Sequence, residues 1–368
     1  MMARAWVIAL PFVALAVAGA GWWKSQQGDT PVSSAAADTL RRAAAAAPAP
    51  RAFYGRRLEP KEPVVLHGAG QSDESSFAAY SKAVAPAKPM LTMSYIDLRE
   101  DVPSYFGRLR VELARYPDLL IPQIGLSLNS DDAKKHYEAD IARGVDDARL
   151  KLLCDGLRSL DRPVFLRVGY EFNGPWNGYV ASSYVAAFRH ITETIRACGL
   201  DNVAIVWDWS VGAELDAESG GANAADAAKR YMAFYPGDAW VDWWGLNIFS
   251  ATDTWTPATK AFLADAERHR MPVIIGESTP KGHSVQEGSR ILDAWYKPYF
   301  GLIHTSPGIK AFCYIDWDWS IYPQWADWGD GRIEQDPTVL GFYRAEVQRP
   351  LYAGARSRAE TLALLRAH

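Results

Sequence analysis

The sequence predicts an α/β protein built as a single (β/α)8 TIM barrel. Eight short apolar segments with the character of buried strands alternate with amphipathic helical segments along the 368 residues. Near-continuous apolar strands that alternate with helices are typical of a parallel sheet. Eight such units favour a closed barrel over an open nucleotide-binding sheet, which begins with a glycine-rich phosphate turn. The HGAGQ run at 67–71 is too short for that turn.

The strands are predicted from apolar runs bounded by polar, glycine or proline residues. In order they are Val64–Ala69, Met90–Asp97, Leu119–Leu128, Val164–Glu171, Ala204–Trp209, Trp243–Phe249, Val273–Glu277 and Lys310–Trp317. The helices are predicted from helical apolar periodicity between these runs. They are Ser76–Val84, Asp101–Tyr116, Asp132–Ser159, Ser182–Ala197, Ala224–Phe234, Pro257–His269 and Ser289–Thr305.

The N-terminal segment predicts export. Arg4 precedes an apolar run at 5–17 and a small-residue Ala-Gly-Ala site, so residues 1–20 have the pattern of a signal peptide. The run is short for a membrane span, but the following tryptophans and lysine leave an uncleaved anchor as an alternative. Residues 21–52 are rich in Ala, Pro, Ser and Thr and predict a flexible linker. The catalytic barrel is then expected over 53–368, secreted or periplasmic, and in a membrane only if the anchor is retained.

Composition narrows the choice of partners. The net charge is -4 and the chain has no long basic run, so nucleic-acid binding has no support. The 15 Trp and 17 Tyr often stand beside Asn, Asp and Gly rather than in apolar periodicity. This placement favours an aromatic ligand cleft, although core and interface filler is the alternative.

Three cysteines and seven histidines provide no metal-binding pattern, and no cofactor is expected. A metal-dependent barrel would need clustered histidines at the strand exits, and these do not cluster. Cys154 and Cys198 lie near the ends of successive predicted helices, which is compatible with a disulfide. Cys313 lies inside a predicted strand and is expected to be a small buried hydrophobe.

Two carboxylates stand at strand exits, where barrel enzymes carry their chemistry. Glu171 ends the fourth predicted strand and Glu277 ends the seventh. Burying such a charge unpaired costs several kcal/mol, so a purely structural origin needs a partner. Arg167, four residues before Glu171, is the candidate ion-pair partner for that structural alternative. Two carboxylates facing each other across a barrel mouth are what glycoside cleavage requires, one as proton donor and one as nucleophile or base.

The strands around these carboxylates resemble glycoside hydrolase family 26. LRVGYEFNGPWNGY is similar to that family's acid/base strand, and PVIIGES is similar to its nucleophile strand. NVAIVWDWS, VDWWGLNIF and AFCYIDWDW resemble its fifth, sixth and eighth strands, so the likeness covers roughly Val64 to Trp319. The resemblance implies a retaining double displacement in which Glu171 is the acid/base and Glu277 the nucleophile.

The sequence also departs from the family pattern. Tyr170 stands where the family usually has His, and Asn247 and Phe249 stand where it usually has Asp and Tyr. The family tyrosine contacts the nucleophile, so its loss leaves that contact to Tyr314 or to another hydroxyl nearby. These changes put the usual mannan specificity in question more than hydrolysis itself.

Seven further residues are predicted to bind substrate at the strand exits. They are Arg167, Tyr170, Asn173, Trp176, Trp209, Asn247 and Trp317. Trp176 and Tyr179 are candidate stacking platforms for sugar rings, with loop anchoring as the alternative for the tryptophan. Trp317, which ends strand eight, is a stronger candidate for substrate binding than the tryptophans that end strand five. Asp208 and Asp316 are each expected either to bind sugar hydroxyls or to form an ion pair with Arg167. For His67, a place in the core is favoured over a hydrogen bond to a sugar.

The predicted function is a retaining glycoside hydrolase that acts on a β-linked neutral polysaccharide. Mannan-like chains and mixed-linkage glucan come first by resemblance, and an exopolysaccharide is a competitor. The polysaccharide is the only partner expected, and the chain is expected to be a monomer. The alternative from another class is a non-catalytic glycan-binding barrel that retains the cleft.

Overall fold

A computed structural model describes residues 35–70, 74–130, 132–213 and 224–365. The predicted signal peptide at 1–20 and the first part of the predicted linker lie outside these residues. Within the described ranges, no helix is both long and apolar enough to cross a membrane.

Eight parallel strands form the barrel. They are β1 (Val65–Ala69), β2 (Leu91–Asp97), β3 (Ile121–Ser127), β4 (Val164–Val168), β5 (Val203–Ser210), β6 (Trp243–Ile248), β7 (Val273–Ser278) and β8 (Ile309–Tyr314). Each strand pairs with its neighbour in sequence, and β1 pairs with both β2 and β8, which closes the sheet. The predicted single (β/α)8 barrel is confirmed.

The helices form a layer outside the strands. They are α1 (Ala35–Ala45), α2 (Glu74–Ala83), α3 (Val102–Leu113), α4 (Tyr137–Ala142), α5 (Asp147–Ser159), α6 (Ala181–Ala197), α7 (Ala224–Met232), α8 (Pro257–Arg268), α9 (Ser289–Ile291), α10 (Lys297–Thr305), α11 (Pro337–Val347) and α12 (Arg358–Leu365). A short strand, β9 (Tyr352–Ala353), pairs with β1.

Two of the predicted helices are interrupted. The predicted helix at 132–159 is divided into α4 and α5, because Gly144 adopts a positive φ of 78° between them. The predicted helix at 289–305 contains a π-helical turn at Leu292–Tyr296. Helix α11 was not predicted from the sequence.

Strand β4 is shorter than predicted. It ends at Val168, and the chain leaves it through Gly169 at φ 54°. A Cβ at Gly169 would also press against the Tyr184 ring, so this exit requires glycine on two counts. Glu171 therefore lies on the turn beyond the strand rather than within it.

The apolar core has two layers, as strand alternation requires. One layer fills the barrel interior and includes Leu66, Met93, Phe165, Val206 and Ile274. The other lies between the strands and the helices. Because apolar side chains fill its interior, the barrel is not a pore. Polar groups that solvent or a ligand can reach therefore lie at its two ends.

Part of the predicted linker is folded onto the barrel. Helix α1 packs against α10 so closely that a Cβ at Gly301 would clash with the carbonyl of Leu40. His304 contacts the carbonyl of Ala43, in the last turn of α1, at 3.1 Å. Residues 35–45 thus differ from the expected flexible linker, because the small alanine side chains allow close helix contact.

The N-terminal end of the barrel is closed by a buried ion pair. The Lys310 ammonium contacts the Glu59 carboxylate, and both side chains are buried. The backbone amides of Tyr54 and Arg56 each donate to Glu59 at 3.0 Å. This charged pair therefore has its hydrogen bonds satisfied in place.

The cysteines are placed as the sequence suggested. Cys154 of α5 and Cys198, the residue after α6, form a disulfide with a Cα–Cα distance of 6.4 Å. Cys313 is a free, buried cysteine within β8.

Candidate active site

The two predicted catalytic carboxylates lie at the C-terminal end of the barrel. Glu277 is the fifth residue of β7, and Glu171 follows β4 on a tight turn. Only 6% of Glu171 and 8% of Glu277 is exposed. Their carboxyl groups are near enough that the charge of Glu277 contributes to raising the pKa of Glu171. The structure thus brings together the pair predicted from the sequence.

The turn that carries Glu171 is held in an uncommon backbone conformation. Glu171 itself has a positive φ of 50°, which costs free energy for a residue with a side chain. The side-chain amide of Asn177 donates to the carbonyls of Tyr170 and Glu171 at 2.9 and 3.0 Å. These buried hydrogen bonds hold the turn, and the left-handed residue turns the carboxyl into the barrel mouth.

The environment of Glu171 favours its protonated form. Burial, with a further contribution from the negative charge of Glu277, raises the pKa of Glu171 to about 8. The Asn247 amide opposes this shift by donating from Nδ2 to Oε1 at 3.0 Å. A carboxyl that keeps its proton at neutral pH is suited to protonating a leaving group.

The environment of Glu277 instead favours a negative charge. Arg167 donates to Glu277 Oε1 at 2.7 Å and to Asp208 Oδ2 at 2.9 Å. The guanidinium is fully buried, so these charge-assisted hydrogen bonds act without competition from water. Arg167 was weighed as a possible ion-pair partner of Glu171. It pairs with Glu277 instead, because the chain turns after β4 and Arg167 stays within the strand.

Two glycines make room for the Arg167–Asp208 pair. A Cβ at Gly245 would clash with Asp208 Oδ1, and one at Gly276 would lie 3.0 Å from Arg167 NH1. Burial raises the pKa of Asp208 to about 6, against the opposing charge of Arg167. Of the two roles predicted for Asp208, sugar binding and an ion pair with Arg167, the structure shows the ion pair.

Asp316 differs from Asp208. Its Oδ1 accepts a hydrogen bond from the Ile333 amide at 2.9 Å, and it lies beside Glu334 rather than Arg167. Burial, with the charge of Glu334, raises its pKa well above the ordinary value. Asp316 therefore belongs to the base of the loop after β8 and not to the Arg167 ion pair.

Tyr95 on β2 is a site residue that the sequence reasoning missed. Its hydroxyl lies 3.5 Å from Met93 Sδ and near Glu277, and its pKa is raised well above the ordinary value by burial and by the Glu277 charge. The ring lies 5.5 Å from the Arg167 guanidinium and meets Tyr170 edge-on at 5.4 Å. Its position two residues before the polar exit of a predicted strand was the only signal in the sequence.

Tyr314, which the sequence offered for this contact, is engaged elsewhere. Its hydroxyl donates to the Gly331 carbonyl and lies 2.7 Å from the Tyr296 hydroxyl. Strand β8 turns Tyr314 outward, toward the helices, and away from the nucleophile. The hydroxyl contact to Glu277 therefore comes from β2 and not from β8.

Known proteins with related sequences are glycosidases. A β-1,3-xylanase from an Alcaligenes species is 28% identical over 330 residues, which cover 80% of this chain and 66% of the relative. A β-1,3-xylanase from a Vibrio species is also 28% identical, over 338 residues that cover 82% of this chain and 69% of the relative. The chain thus spans about two thirds of the length of these enzymes. No protein-family model matches it.

Solved structures show the same fold. GH26C from Muricauda sp. MAR_2010_75 superposes with a TM-score of 0.58 at 13% identity, covering 89% of this chain and 94% of the other. The mannanase man26 from Bacillus subtilis superposes with a TM-score of 0.52 at 17% identity, covering 88% and 94%. The chain therefore shares the (β/α)8 fold of these two solved structures, and the fold resemblance stated from the sequence is confirmed.

Within this barrel, Trp209 does not lie at the mouth. It is fully buried and stacks on Phe262 of α8 at 4.7 Å with rings 16° apart. Asp208 faces the interior, so strand alternation turns Trp207 and Trp209 outward to the helices. The prediction that Trp209 binds substrate is corrected, because the WDWS run carries its aromatic residues on the core face.

The loop after β4 is partly structural. Tyr179 is buried, and its hydroxyl accepts a hydrogen bond from the Leu128 amide at 3.1 Å, so it anchors the loop. Asn173 exchanges two hydrogen bonds of 2.9 Å with the backbone of Ser210 and joins the loop to β5. Trp176 is half-buried, with its ring folded over Gly174. Of these three, Trp176 alone keeps the exposure and ring surface that a sugar platform needs.

The remaining predicted binding residues surround the carboxyl pair. Tyr170 is buried with its ring 5.2 Å from the Arg167 guanidinium, and Asn247 is fully buried against Glu171. Trp317 is half-buried just beyond β8, and its ring is nearly parallel to Tyr322 at 6.2 Å. Trp317 and Trp176 thus present partly accessible aromatic surface, whereas Tyr170 and Asn247 support the charged groups.

His67 is in the core, as expected. It is fully buried in β1 beside Phe312, and burial lowers its pKa to about 4. Within the described ranges, no group of three His, Cys, Asp or Glu side chains is arranged to hold a metal ion.

Proposed function

We propose that this chain is a retaining glycoside hydrolase that cleaves a β-linked neutral polysaccharide. The observation that carries the proposal is the unequal environment of two facing carboxyls. Burial holds a proton on Glu171, while Arg167 and Tyr95 stabilise a negative charge on Glu277. Such a separation supports Glu171 as the acid and Glu277 as the nucleophile.

The proposed reaction has two steps. First, a Glu277 oxygen attacks the anomeric carbon, the glycosidic C–O bond breaks, and the Glu171 proton moves to the leaving oxygen. Then water attacks the same carbon, the ionised Glu171 takes its proton, and the ester bond to Glu277 breaks. The product keeps the anomeric configuration of the substrate.

Among substrates, we place β-1,3-xylan first. The two relatives at 28% identity are both named β-1,3-xylanases, whereas the likeness to mannanases is one of fold. The residues Tyr170 and Phe249, where family 26 usually has His and Tyr, also weigh against mannan. Mannan, mixed-linkage glucan and exopolysaccharide remain in the test as competitors.

Secretion or a periplasmic location completes the proposal. The signal pattern at residues 1–20 favours it, and the Cys154–Cys198 disulfide is typical of oxidising compartments. A membrane location is expected only if the N-terminal segment is not cleaved, and a monomeric state is part of the proposal.

The test is a screen of the purified chain against soluble β-1,3-xylan, β-mannan, mixed-linkage glucan and bacterial exopolysaccharides. We expect oligosaccharides from β-1,3-xylan, with the β-anomer formed first in the proton NMR spectrum. The Glu277→Ala variant serves as the inactive control. Binding without cleavage by the wild type would support a glycan-binding barrel and overturn the proposal, and an α-anomer formed first would overturn the retaining mechanism.

A further inference from the structure

Asn247 of β6 lies between two acidic groups in the buried part of the site. Its Nδ2 donates to Glu171 Oε1 at 3.0 Å. Its Oδ1 is buried and finds no hydrogen-bond partner among the residues that the structure describes, and the same is true of Asp208 Oδ1. Because a buried acceptor without a donor costs free energy, these two oxygens need an explanation.

The two unpartnered oxygens face the same small space. Each lies 2.9 Å from the point that a Cβ of Gly276 would occupy. Asp208 uses its other oxygen to accept from Arg167 at 2.9 Å. Both acceptors therefore border the space over Gly276, which Arg167 Nη1 also borders at 3.0 Å, while the donor end of the Asn247 amide faces Glu171.

A half-turn of the Asn247 amide would satisfy both oxygens. Asparagine carries a carbonyl oxygen and an NH2 group on one flat amide, so rotation exchanges acceptor and donor in place. After rotation, Nδ2 would donate to Asp208 Oδ1 and Oδ1 would face Glu171. That oxygen then needs a proton on Glu171 as its donor.

We propose that Asn247 is a positioning residue whose side-chain amide reverses as Glu171 gains and loses its proton. With Glu171 protonated, the amide donates to Asp208 and accepts from Glu171. With Glu171 ionised, it donates to Glu171, which is the amide orientation found in the structure. The inference rests on the proposed function, in which Glu171 passes through both states in each turnover.

The reversal has a specific consequence for acid/base catalysis. One neutral side chain supplies a hydrogen bond to each form of Glu171, so neither step leaves the carboxyl without support. A carboxylate at this position has no N–H and could not donate to ionised Glu171. The other groups that face this region stay in place through both states. They are Arg167 of β4, Ser210 of β5, Glu277 of β7 and Tyr95 of β2.

Neutron crystallography of the deuterated wild-type protein tests the proposal directly, because nitrogen, oxygen and deuterium are then distinguished. Two structures are needed, about two pH units below and above the Glu171 midpoint. We expect the ND2 group to face Asp208 at the lower pH and Glu171 at the higher pH. An ND2 group that faces Glu171 in both structures overturns the proposal. Neither outcome depends on activity, so a failed hydrolase assignment is recognised separately.

Carboxyl 13C NMR of the Asn247→Leu variant gives a second readout, with the Glu171 signal assigned from Glu171→Gln. If Asn247 only ever donates to ionised Glu171, its removal should raise the Glu171 midpoint by about one to two pH units. If the amide reverses, both forms of Glu171 lose a hydrogen bond, and we expect a shift below about half a unit. A rise of one unit or more therefore overturns the proposal.

Discussion

The two ends of the barrel each bury an ion pair, but they differ in balance. At the N-terminal end, one ammonium, Lys310, meets one carboxylate, Glu59, and backbone amides complete its hydrogen bonds. At the C-terminal end, one guanidinium, Arg167, serves both Asp208 and Glu277, with Glu171 close by. The first pair matches one cation to one carboxylate whose hydrogen bonds are made. The second shares one cation between two carboxylates and, among the described residues, leaves buried oxygens without donors.

This difference distinguishes charged groups that stabilise the fold from charged groups that are suited to catalysis. An ion pair that closes a barrel end is most stable when every group has its partner. A hydrolytic site needs one carboxyl that holds a proton and another that holds a charge, and a balanced pair does not provide both. Burial raises the pKa of Glu171 and of Asp208, and the negative charge of Glu277 adds to both shifts.

Replacement of Glu277 by Ala should have the largest effect on the C-terminal end. Without the nucleophile, we expect hydrolysis to fall roughly 10⁴-fold or more. Initial rates on the best polysaccharide of the panel measure the loss. Glu267→Ala, on the exposed face of α8, is the matched control and should keep wild-type rates. Unchanged activity in Glu277→Ala would remove the catalytic assignment.

Glu171→Ala should follow, with a loss of about 10²–10⁴-fold on polysaccharide. Because Glu171 must be protonated in the first step, wild-type kcat/KM should decline as pH rises through about 8. Aryl glycosides with good leaving groups need little acid assistance, so their cleavage step should lose much less in the variant. An alkaline limb that persists unchanged in Glu171→Ala would assign it to a different group.

At the opposite end, Lys310→Met should destabilise the fold without altering the chemistry. Leaving Glu59 buried without its cation is expected to cost about 3–5 kcal/mol of unfolding free energy. Urea denaturation measures this loss, and the pH profile of the remaining folded enzyme should match the wild type. A shifted pH profile would mean that the two ends are electrically coupled and would break the comparison.

Tyr95→Phe should have a smaller effect, confined to the C-terminal end. It removes a polar hydroxyl beside the Glu277 carboxylate, an interaction worth about 1.5–3 kcal/mol, so we expect kcat to fall about 10- to 100-fold. Tyr116→Phe, on a half-buried tyrosine beyond α3, is the control. Equal losses in both variants would argue against a specific contact between Tyr95 and Glu277.

Taken per pH unit, the smallest effect is the change in unfolding free energy with pH. The pKa of Glu171 is raised from 4.5 to about 8, so the folded state binds its proton more tightly than the unfolded state. Its stabilising contribution is complete below about pH 4.5 and is lost progressively up to about pH 8, by at most about 1.4 kcal/mol per pH unit. The Glu171→Gln variant does not lose this contribution. Its unfolding free energy should therefore increase relative to that of the wild type as the pH rises from about 4.5 to about 8. Parallel curves for the two proteins would contradict the assignment.

Much of the catalytic end was predictable because strand ends leave a local signal. An apolar run that stops at a carboxylate is visible in the sequence, and counting such runs places Glu171 and Glu277 on the fourth and seventh strands. The same rule places Asn247 and Trp317 at the ends of the sixth and eighth strands. Trp209 was assigned wrongly, since the rule does not tell which of two alternating faces points inward.

Closure of the barrel decided the rest. Tyr95 reaches Glu277 from β2, and Arg167 reaches Glu277 rather than Glu171, and both contacts join residues far apart in the chain. The left-handed turn at Glu171 is likewise held by Asn177, six residues onward. By itself, the sequence determined the fold class and the two carboxyls, because apolar periodicity and residue type are local properties. Which group holds the proton depends on burial and on partners across the barrel, which exist only in the tertiary structure.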